Sequence, residues 1–438
     1  MFKSFVNAFK VKDIRKRFYY TFMMLVVIRL GSILPIPGID TTAISAAIAD
    51  FFKGTNGAFD FLSAITGGSF EKISIFALSI TPYITSSIIM QLLTIAIPKL
   101  EEMQKDGEDG RKKIAEITRY VTVLLAIGES VAMAVSFNNQ GYLEDGFIPL
   151  KMIMIIVTLT AGSATLMWIG ERITEKGIGN GISIVLLINI VSRIPSDLGT
   201  LYEKFVKTED NIARAILAAV IIIAVIVLMV WFTCILQDAE RRIPVQYSQK
   251  IQGRKTYGGQ SSNIPLKVNT AGVIPVIFAS SLLQFPVVIL NFIKGTTPEW
   301  CKYLSQSYWC DPKNLKYSVG LLVYIVLIIV FAYFYTSITF NPMEISNNMK
   351  KSGGFIPGIR PGKPTTDYLN SILNSIVFIG AVGLTIVAVI PIILSGIFSA
   401  NVTFFGTSII IIVGVVLETI KKVESQMVVR SYKGFLND

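Results

Sequence analysis

The chain has 438 residues, of which 52% are hydrophobic and 16% are charged, and its formal net charge is +11. A soluble globular chain is about 25% charged, so this composition argues against a soluble protein and for a membrane protein. The sequence contains no histidine, which excludes histidine-dependent hydrolysis, histidine-ligated metal sites and histidine proton relays.

Apolar runs of about 20 residues, the length needed to cross a bilayer, recur along the whole chain. The first run follows a basic stretch but has no small-residue cleavage site, so we interpret it as a retained span and not as a removable signal peptide. The fifth run is short and is bracketed by polar residues. The runs predict ten membrane-spanning helices at 19–37, 73–97, 119–137, 151–169, 181–194, 212–236, 271–293, 317–340, 368–395 and 402–420.

Most of the 40 lysines and arginines fall in the two tails and in the loops on one side of the membrane. This bias places both termini and the large basic loops in the cytoplasm. Topology alone explains the positive charge, and an acidic partner is the alternative explanation.

Ten spans divide into an N-terminal half (1–195), an external hinge (196–211) and a C-terminal half (212–438). An odd number of spans per half forces the halves into opposite orientations, as in inverted repeats.

Four segments are not simple spans. Residues 3–18 are basic with interleaved aromatic residues, which predicts an interfacial amphipathic helix. Residues 57–70 are apolar but too short to cross, so they must be buried in protein or line a cavity. The other two are long cytoplasmic loops at 238–269 and 341–368. The prolines and glycines of "FIPGIRPGKP" predict a shaped loop that offers Arg360 to a partner.

The second span carries isoleucines at every fourth position, Ile80, Ile84 and Ile88, with polar residues between them. At about 100° per residue these isoleucines lie within an arc of about 80°. Ser87 and Gln91 lie on or beside the same arc, so the face runs from isoleucine into polar residues. Such a face makes poor contact with lipid, which favours an inward orientation.

Several sequence features have two readings. "GIGNG" (177–181) has the glycines of a phosphate cradle, but it joins two membrane helices and therefore favours a tight turn. Glu129 in the third span either makes a hydrogen bond between helices or couples transport to protons. Cys301 and Cys310 share an external loop, so they either form a local disulfide or stay free. Cys234 lies in a span and is a small apolar residue there.

Composition alone allows three classes of membrane protein. An ion-coupled small-solute secondary transporter would also be polytopic, with inverted halves and an interrupted helix. The scarcity of charge within the spans and the two large basic loops count against it. A membrane-embedded enzyme lacks any pairing of a nucleophile with a base, and no GxxxxGK[ST] phosphate loop is present for nucleotide binding. A channel for a substrate of varied side chains fits an interior without binding chemistry.

Six strings of the sequence strongly resemble the SecY family, the central subunits of bacterial protein-conducting channels. The resemblance implies an all-α polytopic membrane protein with ten transmembrane helices in two inverted five-helix halves, arranged as a clamshell around an hourglass pore. The loop around Cys301 and Cys310 is the part that does not match. The matching strings are "RLGSILPIPGID" (29–40), "FLSAITGGSFEKISIFALSITPYITSSIIMQLL" (61–93), "GERITEKGIGNGISI" (170–184), "RRIPVQY" (241–247), "PLKVNTAGVIPVIFASSLLQFP" (265–286) and "GGFIPGIRPGKPT" (353–365).

The resemblance implies a ring of bulky aliphatic side chains at the waist of the pore and a short plug helix that closes the external funnel. Leu186 stands in the ring where isoleucine is common in the family. The ring positions are Ile80, Ile84, Ile182, Leu186, Ile277 and Ile411. The plug would be residues 58–68, including Phe59, Phe61, Leu62, Ile65, Gly67 and Gly68.

The family also opens sideways, between the second and third spans on one side and the seventh and eighth on the other. We expect polar residues on these spans to hold the seam closed by interhelical hydrogen bonds, each worth about 0.6–2 kcal/mol in a membrane. Hydrophobic segments would leave through this lateral gate into lipid. The gate residues would be Ser86, Ser87, Gln91, Glu129, Asn269, Ser281 and Phe285.

By resemblance, the basic cytoplasmic loops dock the SecA ATPase or the translating ribosome, which supply the energy for moving preproteins. SecE would brace the two halves and SecG would lie nearby. Signal sequences, preproteins and membrane lipid are the other expected partners, and no cofactor, metal or nucleotide is expected. The docking residues would be Arg241, Arg242, Lys250, Arg254, Arg360 and Lys363.

Overall fold

A computed structural model describes most of the chain. The described residues are 11–37, 65–139, 143, 148–203, 207, 212–247, 250–252, 255–257, 261–294, 298–310, 315–398 and 407–434. Every predicted span overlaps a helix among these residues. The helices are α1 (Lys12–Gly31), α2 (Thr81–Ala96), α3 (Pro98–Lys105), α4 (Glu108–Asn139), α5 (Ile148–Lys176), α6 (Gly181–Tyr202), α7 (Ile212–Asp238), α8 (Ile274–Lys294), α9 (Cys301–Leu304), α10 (Val319–Thr339), α11 (Pro342–Lys351), α12 (Lys363–Phe398) and α13 (Thr407–Gly434).

Length and apolar composition support a multi-pass membrane protein. Among the described helices, six segments are long and apolar enough to cross a membrane, and they lie in α4, α5, α6, α7, α10 and α12. The number rises to seven if α2 and α3, which are bent by 105° at their junction, are counted as one broken span. Helices α1, α8 and α13 carry the remaining predicted spans.

The ends of three elements differ from the sequence prediction. The second span was expected from residue 73, but α2 begins at Thr81 with Pro82 in its first turn, and residues 67–80 form successive turns. Proline suits the first turn because it has no N–H to donate there. Helix α6 runs through Pro195 to Tyr202 and so enters the stretch assigned to the hinge. The part of the predicted interfacial segment that is described, from Lys12 onward, is not a separate helix, because α1 continues unbroken from there into the first predicted span; residues 3–10 lie outside the described residues.

The two long loops predicted to be cytoplasmic fold together as one small β-structured unit, which we call the cytoplasmic unit after that prediction. The strands are β1 (Glu240–Tyr247), β2 (Lys250–Gln252), β3 (Lys255–Tyr257), β4 (Ser261–Lys267) and β5 (Gly354–Phe355). β1 pairs antiparallel with both β4 and β5, so the sheet order is β4-β1-β5, and β2 pairs with β3 as a hairpin. Ile243 and Val245 alternate inward along β1 and pack on Leu266, Met349 and Leu369. This core anchors the sheet to α11 and α12.

The "GIGNG" stretch is a turn between α5 and α6 and does not cradle an anion. Its carbonyl oxygens accept hydrogen bonds from cationic side chains: Arg17 donates to Gly177 O at 3.2 Å, and Lys422 donates to Gly179 O at 3.0 Å. The N–H of Ile178 donates to Thr21 Oγ1 at 3.1 Å. The N–H groups of Gly177 and Gly181 also donate within the protein, to Ile173 O and Thr174 Oγ1. Because three of its N–H groups are used in this way and two of its carbonyls accept from cations, the stretch is a tight turn.

Candidate pore and lateral gate

All six side chains of the predicted pore ring belong to one hydrophobic cluster, which we call the seal cluster. Helix α8 and helix α13 contribute from the C-terminal half, and α6 and the start of α2 contribute from the N-terminal half. The ring members of the seal cluster are Ile80, Ile84, Ile182, Leu186, Ile277 and Ile411. Residues from both halves of the chain therefore meet at this point.

The helical repeat explains why these side chains converge. Ile80 and Ile84 lie four residues apart at the start of α2, and Ile182 and Leu186 lie four residues apart on α6, so each pair lies on one helix face. Ile80 is fully buried and Ile411 is 2% exposed. Aliphatic side chains offer no hydrogen bond to a passing polypeptide and exclude water when packed.

Sequence reasoning missed other members of the seal cluster. Ile190 lies four residues after the ring residue Leu186, and Val415 lies four residues after the ring residue Ile411. Both are buried in the cluster. The i, i+4 spacing was the available signal for them. Ile88, the third isoleucine of the stripe on α2, is half-buried and lies outside the cluster.

The predicted plug is described only at its C-terminal end. Phe59, Phe61 and Leu62 lie outside the described residues. Ile65 is 4% exposed and packs within the seal cluster. Gly67 and Gly68 follow it with φ of +64° and +79°, a left-handed conformation that glycine adopts without steric cost. The chain therefore turns sharply just after Ile65 has entered the seal cluster.

The seam between the halves includes a direct contact between α4 and α8. Among the predicted gate residues, Ser86 is buried and donates from Oγ to Thr118 O at 2.8 Å. That bond joins α2 to α4, two helices of the same half, and does not cross the seam. Asn269 is buried and donates to the nearby Gly272 O at 3.0 Å, which fixes the entry into α8.

The remaining predicted gate residues are only partly enclosed. Ser87, Gln91, Glu129 and Ser281 are half-buried, and the side chain of Phe285 lies outside the described set. The Oε1 atom of Gln91 is buried and accepts no hydrogen bond from a described residue. Glu129 makes no hydrogen bond or ion pair with another described residue. The described contacts therefore support neither a hydrogen bond between helices nor proton coupling at Glu129.

Four of the predicted docking residues are exposed on the cytoplasmic unit. They are Arg241, Arg242, Arg360 and Lys363. Arg254 and the side chain of Lys250 lie outside the described residues. The loop around Arg360 is shaped as predicted, because Thr365 Oγ1 donates to Arg360 O at 2.8 Å and Ser346 Oγ donates to Gly362 O at 2.9 Å. Arg242 differs from the others because Glu240 pairs with it at 2.7 Å.

Comparison with known proteins decides the family. The SecY sequence profile matches residues 74–420. A protein of Streptomyces scabiei named "Protein translocase subunit SecY" is 43% identical over 450 residues, covering 100% of both chains. A protein of the same name from Halalkalibacterium halodurans is 42% identical over 446 residues, again covering 100% of both. The chain belongs to the SecY family.

Solved structures agree with SecY membership at the level of the fold. A structure described as "The structure of a protein conducting channel" superposes with a TM-score of 0.68 at 19% identity, covering 95% of this chain and 93% of that one. A second, described as "Sec61 in the Canine ribosome-channel complex from the endoplasmic reticulum", gives a TM-score of 0.62 at 18% identity with the same coverage. The predicted class of polytopic helical channel is confirmed.

SecY membership also decides between the functional classes. The chain is a channel subunit for protein translocation, and the small-solute transporter finds no support among the matching proteins. Within the described residues, no group of three or more cysteine and acidic side chains could hold a metal ion.

Proposed function

We propose that this chain is the pore of a translocase in the cytoplasmic membrane of a bacterium, with both termini in the cytoplasm. It passes unfolded preproteins across the membrane and releases hydrophobic segments sideways into lipid. The lysine and arginine bias supports the orientation. The bacterial origin of the matching translocase subunits supports the location.

The observation that carries this proposal is the convergence of six ring side chains from four separate regions of the chain in one seal cluster. We infer that the cluster is the closed waist of the pore. A chain in transit parts these side chains, and their aliphatic surfaces close around it without binding any particular residue. Water and ions are excluded because a narrow hydrophobic constriction dewets.

We assign residues 58–68 as the plug and the α4–α8 contact as part of the lateral gate. A nascent segment at the gate partitions by its hydrophobicity. On insertion scales each leucine or isoleucine at the centre of a span favours lipid by about 0.3–0.6 kcal/mol, and an arginine opposes it by about 2.5–3.5 kcal/mol. A segment of about 20 apolar residues therefore leaves through the gate, and a polar one continues through the pore.

The driving energy comes from partners, because the sequence has no phosphate-binding loop. We propose that SecA or the ribosome docks on the exposed cations of the cytoplasmic unit, and that SecE and SecG complete the membrane complex. The sheet joins both basic loops in one rigid platform, which supports this assignment. The chain itself then carries no catalytic activity.

Reconstitution tests the proposal. The full complex with SecE and SecG is placed in proteoliposomes with SecA, ATP and an unfolded preprotein, and protease protection of the preprotein is measured. We expect protection that requires both ATP and SecA, with vesicles lacking this chain as the control. A correctly assembled complex that protects no preprotein would contradict the proposed function.

A further inference from the structure

The segment that runs from the C-terminal end of the predicted plug to α2, residues 65–79, consists mostly of turns and has a strained backbone. Ile73 has φ +45° and Ser79 has φ +52°, a region that non-glycine residues, and β-branched residues above all, rarely adopt. Such conformations persist only where contacts with the surrounding structure hold the backbone in place. The contacts that hold this segment therefore indicate what it does.

Asn189 of α6 holds both ends of the segment with one amide group. Its Nδ2 donates to Ile65 O at 3.1 Å and to Ser79 Oγ at 3.0 Å. Ser79 Oγ in turn lies 3.4 Å from Ile65 O and donates to it. Asn189 is 2% exposed, so these bonds are shielded from water. The first and last residues of the strained segment are thus tied to each other through α6.

The next turn of α6 approaches the segment closely. Ser192 Oγ lies 3.3 Å from Gly67 O and 2.7 Å from Asn189 O. A Cβ on Gly67 would come within 2.8 Å of the Asn189 backbone. The glycine is therefore required both by its φ of +64° and by the close packing of two backbones.

An ion pair also joins the segment to α6, through the residue that follows Ser192. Arg193 Nη1 lies 2.5 Å from Glu71 Oε1, and Arg193 Nη2 lies 4.0 Å from Asp197 Oδ1 on the next turn of α6. The Arg193 side chain is 16% exposed, which protects the pair from full solvent screening.

We propose that Asn189, Ser192 and Arg193 are positioning residues that form a latch, holding segment 65–79 on α6 and thereby keeping the pore closed. The proposal rests on the proposed function, since it takes the segment as the base of the plug. The latch and the ring share one face of α6. At about 100° per residue, positions 182, 186, 189 and 193 fall within an arc of about 60°. A shift of α6 that parts the ring therefore also strains the latch.

Two variants of the full complex in lipid nanodiscs test the latch. Asn189→Asp keeps the shape of the side chain but removes its donors, and Arg193→Glu reverses one charge of the ion pair. Hydrogen–deuterium exchange of the amides in residues 66–79 reports the hold on the segment directly. Ion conductance in planar bilayers reports closure of the pore. We expect exchange to accelerate by about tenfold or more, since the loss of a single shielded hydrogen bond already predicts about tenfold, and conductance to rise.

A double variant that swaps the two charges of the ion pair and a control variant on the same helix complete the test. The double variant Glu71→Arg/Arg193→Glu restores an ion pair, so we expect it to return both exchange and conductance toward the unmodified chain. Val191→Ala, on the exposed face of the same helix, should change neither. Ser192→Ala is the milder variant should Asn189→Asp fail to assemble, and it should accelerate exchange by a smaller factor.

Unchanged exchange in Asn189→Asp and Arg193→Glu, or in Ser192→Ala where Asn189→Asp does not assemble, would overturn the latch. Faster exchange with unchanged conductance would overturn its role in closing the pore. Failure of the proposed function is seen separately: ring variants such as Ile84→Gly with Ile277→Gly would then leave conductance unaltered, whatever the latch variants do.

Discussion

Ile84 and Ile277 approach the seal cluster from opposite halves of the chain, one from α2 and the other from α8. Neither side chain carries a polar atom, so their contribution is volume and exclusion of water. Ile277 is 6% exposed, and removing buried aliphatic volume leaves a cavity that its neighbours fill only partly. At this site a cavity is also a path for ions.

We expect the double variant Ile84→Gly/Ile277→Gly to raise the resting ion conductance of the complex in planar bilayers. The change also costs packing energy, about 2–5 kcal/mol for each buried aliphatic side chain, so assembly must be checked by gel filtration. Val227→Ala, on the lipid-exposed face of α7, is the control. Equal conductance in all three channels would mean that the seal lies elsewhere.

Cys301 and Cys310, in the loop before α10, are both free thiols in the structure, which decides against the local disulfide. Cys301 is 1% exposed, whereas Cys310 is half-buried. Burial raises the pKa of the thiol of each above its ordinary value, so at pH 8 less thiolate is present than in a free cysteine, and thiolate increases as the pH rises.

We therefore expect alkylation with iodoacetamide at pH 8 to modify Cys310 slowly and Cys301 only after unfolding. Mass spectrometry of native and denatured samples measures both sites. The rate at Cys310 should increase at higher pH. A peptide linking the two cysteines, found without reducing agent, would show that this interpretation is wrong.

At the scale of elements, the loop before α10 forms an aromatic cap. Trp309 is fully buried, packs on Tyr324 of α10 at a ring distance of 5.5 Å and donates from Nε1 to Tyr303 O at 2.8 Å. Gln306 Nε2 donates to Ser280 Oγ of α8 at 3.3 Å, and that hydroxyl lies 3.3 Å from Tyr324 Oη. The cap therefore joins α8 to α10 through Ser280 and Tyr324.

Gly320 is the position on which this cap depends. A Cβ there would overlap the Tyr303 carbonyl oxygen and the Trp309 ring. Gly320→Ala should lower the free energy of unfolding by about 1–3 kcal/mol, because a tightly packed site cannot take the added carbon without moving its backbone. Thermal unfolding of the purified complex measures this. Gly128→Ala on α4, which has nothing within 4 Å of the new Cβ, should cause no loss. A Gly320→Ala melting temperature equal to that of Gly128→Ala would contradict the packing argument.

Local patterns predicted the helices well because each span is a contiguous apolar run that needs no distant partner. They failed where distant residues decide the structure. The turns at 67–80 look like the start of a helix in sequence, yet Ile73 and Ser79 adopt positive φ under contacts from α6. The pairing of Gln246 with Phe355 joins loops more than a hundred residues apart. In the candidate site, the ring residues followed from spacing and resemblance, whereas Asn189 reads as an ordinary polar residue in a span.

At the scale of the whole molecule, described contacts join the two halves at three levels. The seal cluster joins them, α4 contacts α8, and α6 contacts α13. Beside the α6–α13 contact, Lys422 of α13 donates to Gly179 O, in the turn before α6, at 3.0 Å. Helices α11 and α12 pack against the sheet and link the cytoplasmic unit to the helical part of the chain.

We expect the exposed cations of the cytoplasmic unit to affect partner binding without affecting resting closure of the pore, because none of them belongs to the seal cluster. Arg360 is exposed on a loop whose backbone is fixed by Thr365, so reversing its charge should leave the loop shape intact. We expect Arg360→Glu to lower SecA-dependent preprotein protection by about threefold or more, most strongly at low salt, because rim charges act mainly on association rates. Resting ion conductance should stay at the level of the unmodified channel.

Lys302→Glu, a charge reversal of the same kind in the loop before α10, should leave both measurements unchanged. Equal protection for Arg360→Glu and Lys302→Glu would argue against docking at this surface, and a rise in conductance for Arg360→Glu would show that the cytoplasmic unit contributes to the seal.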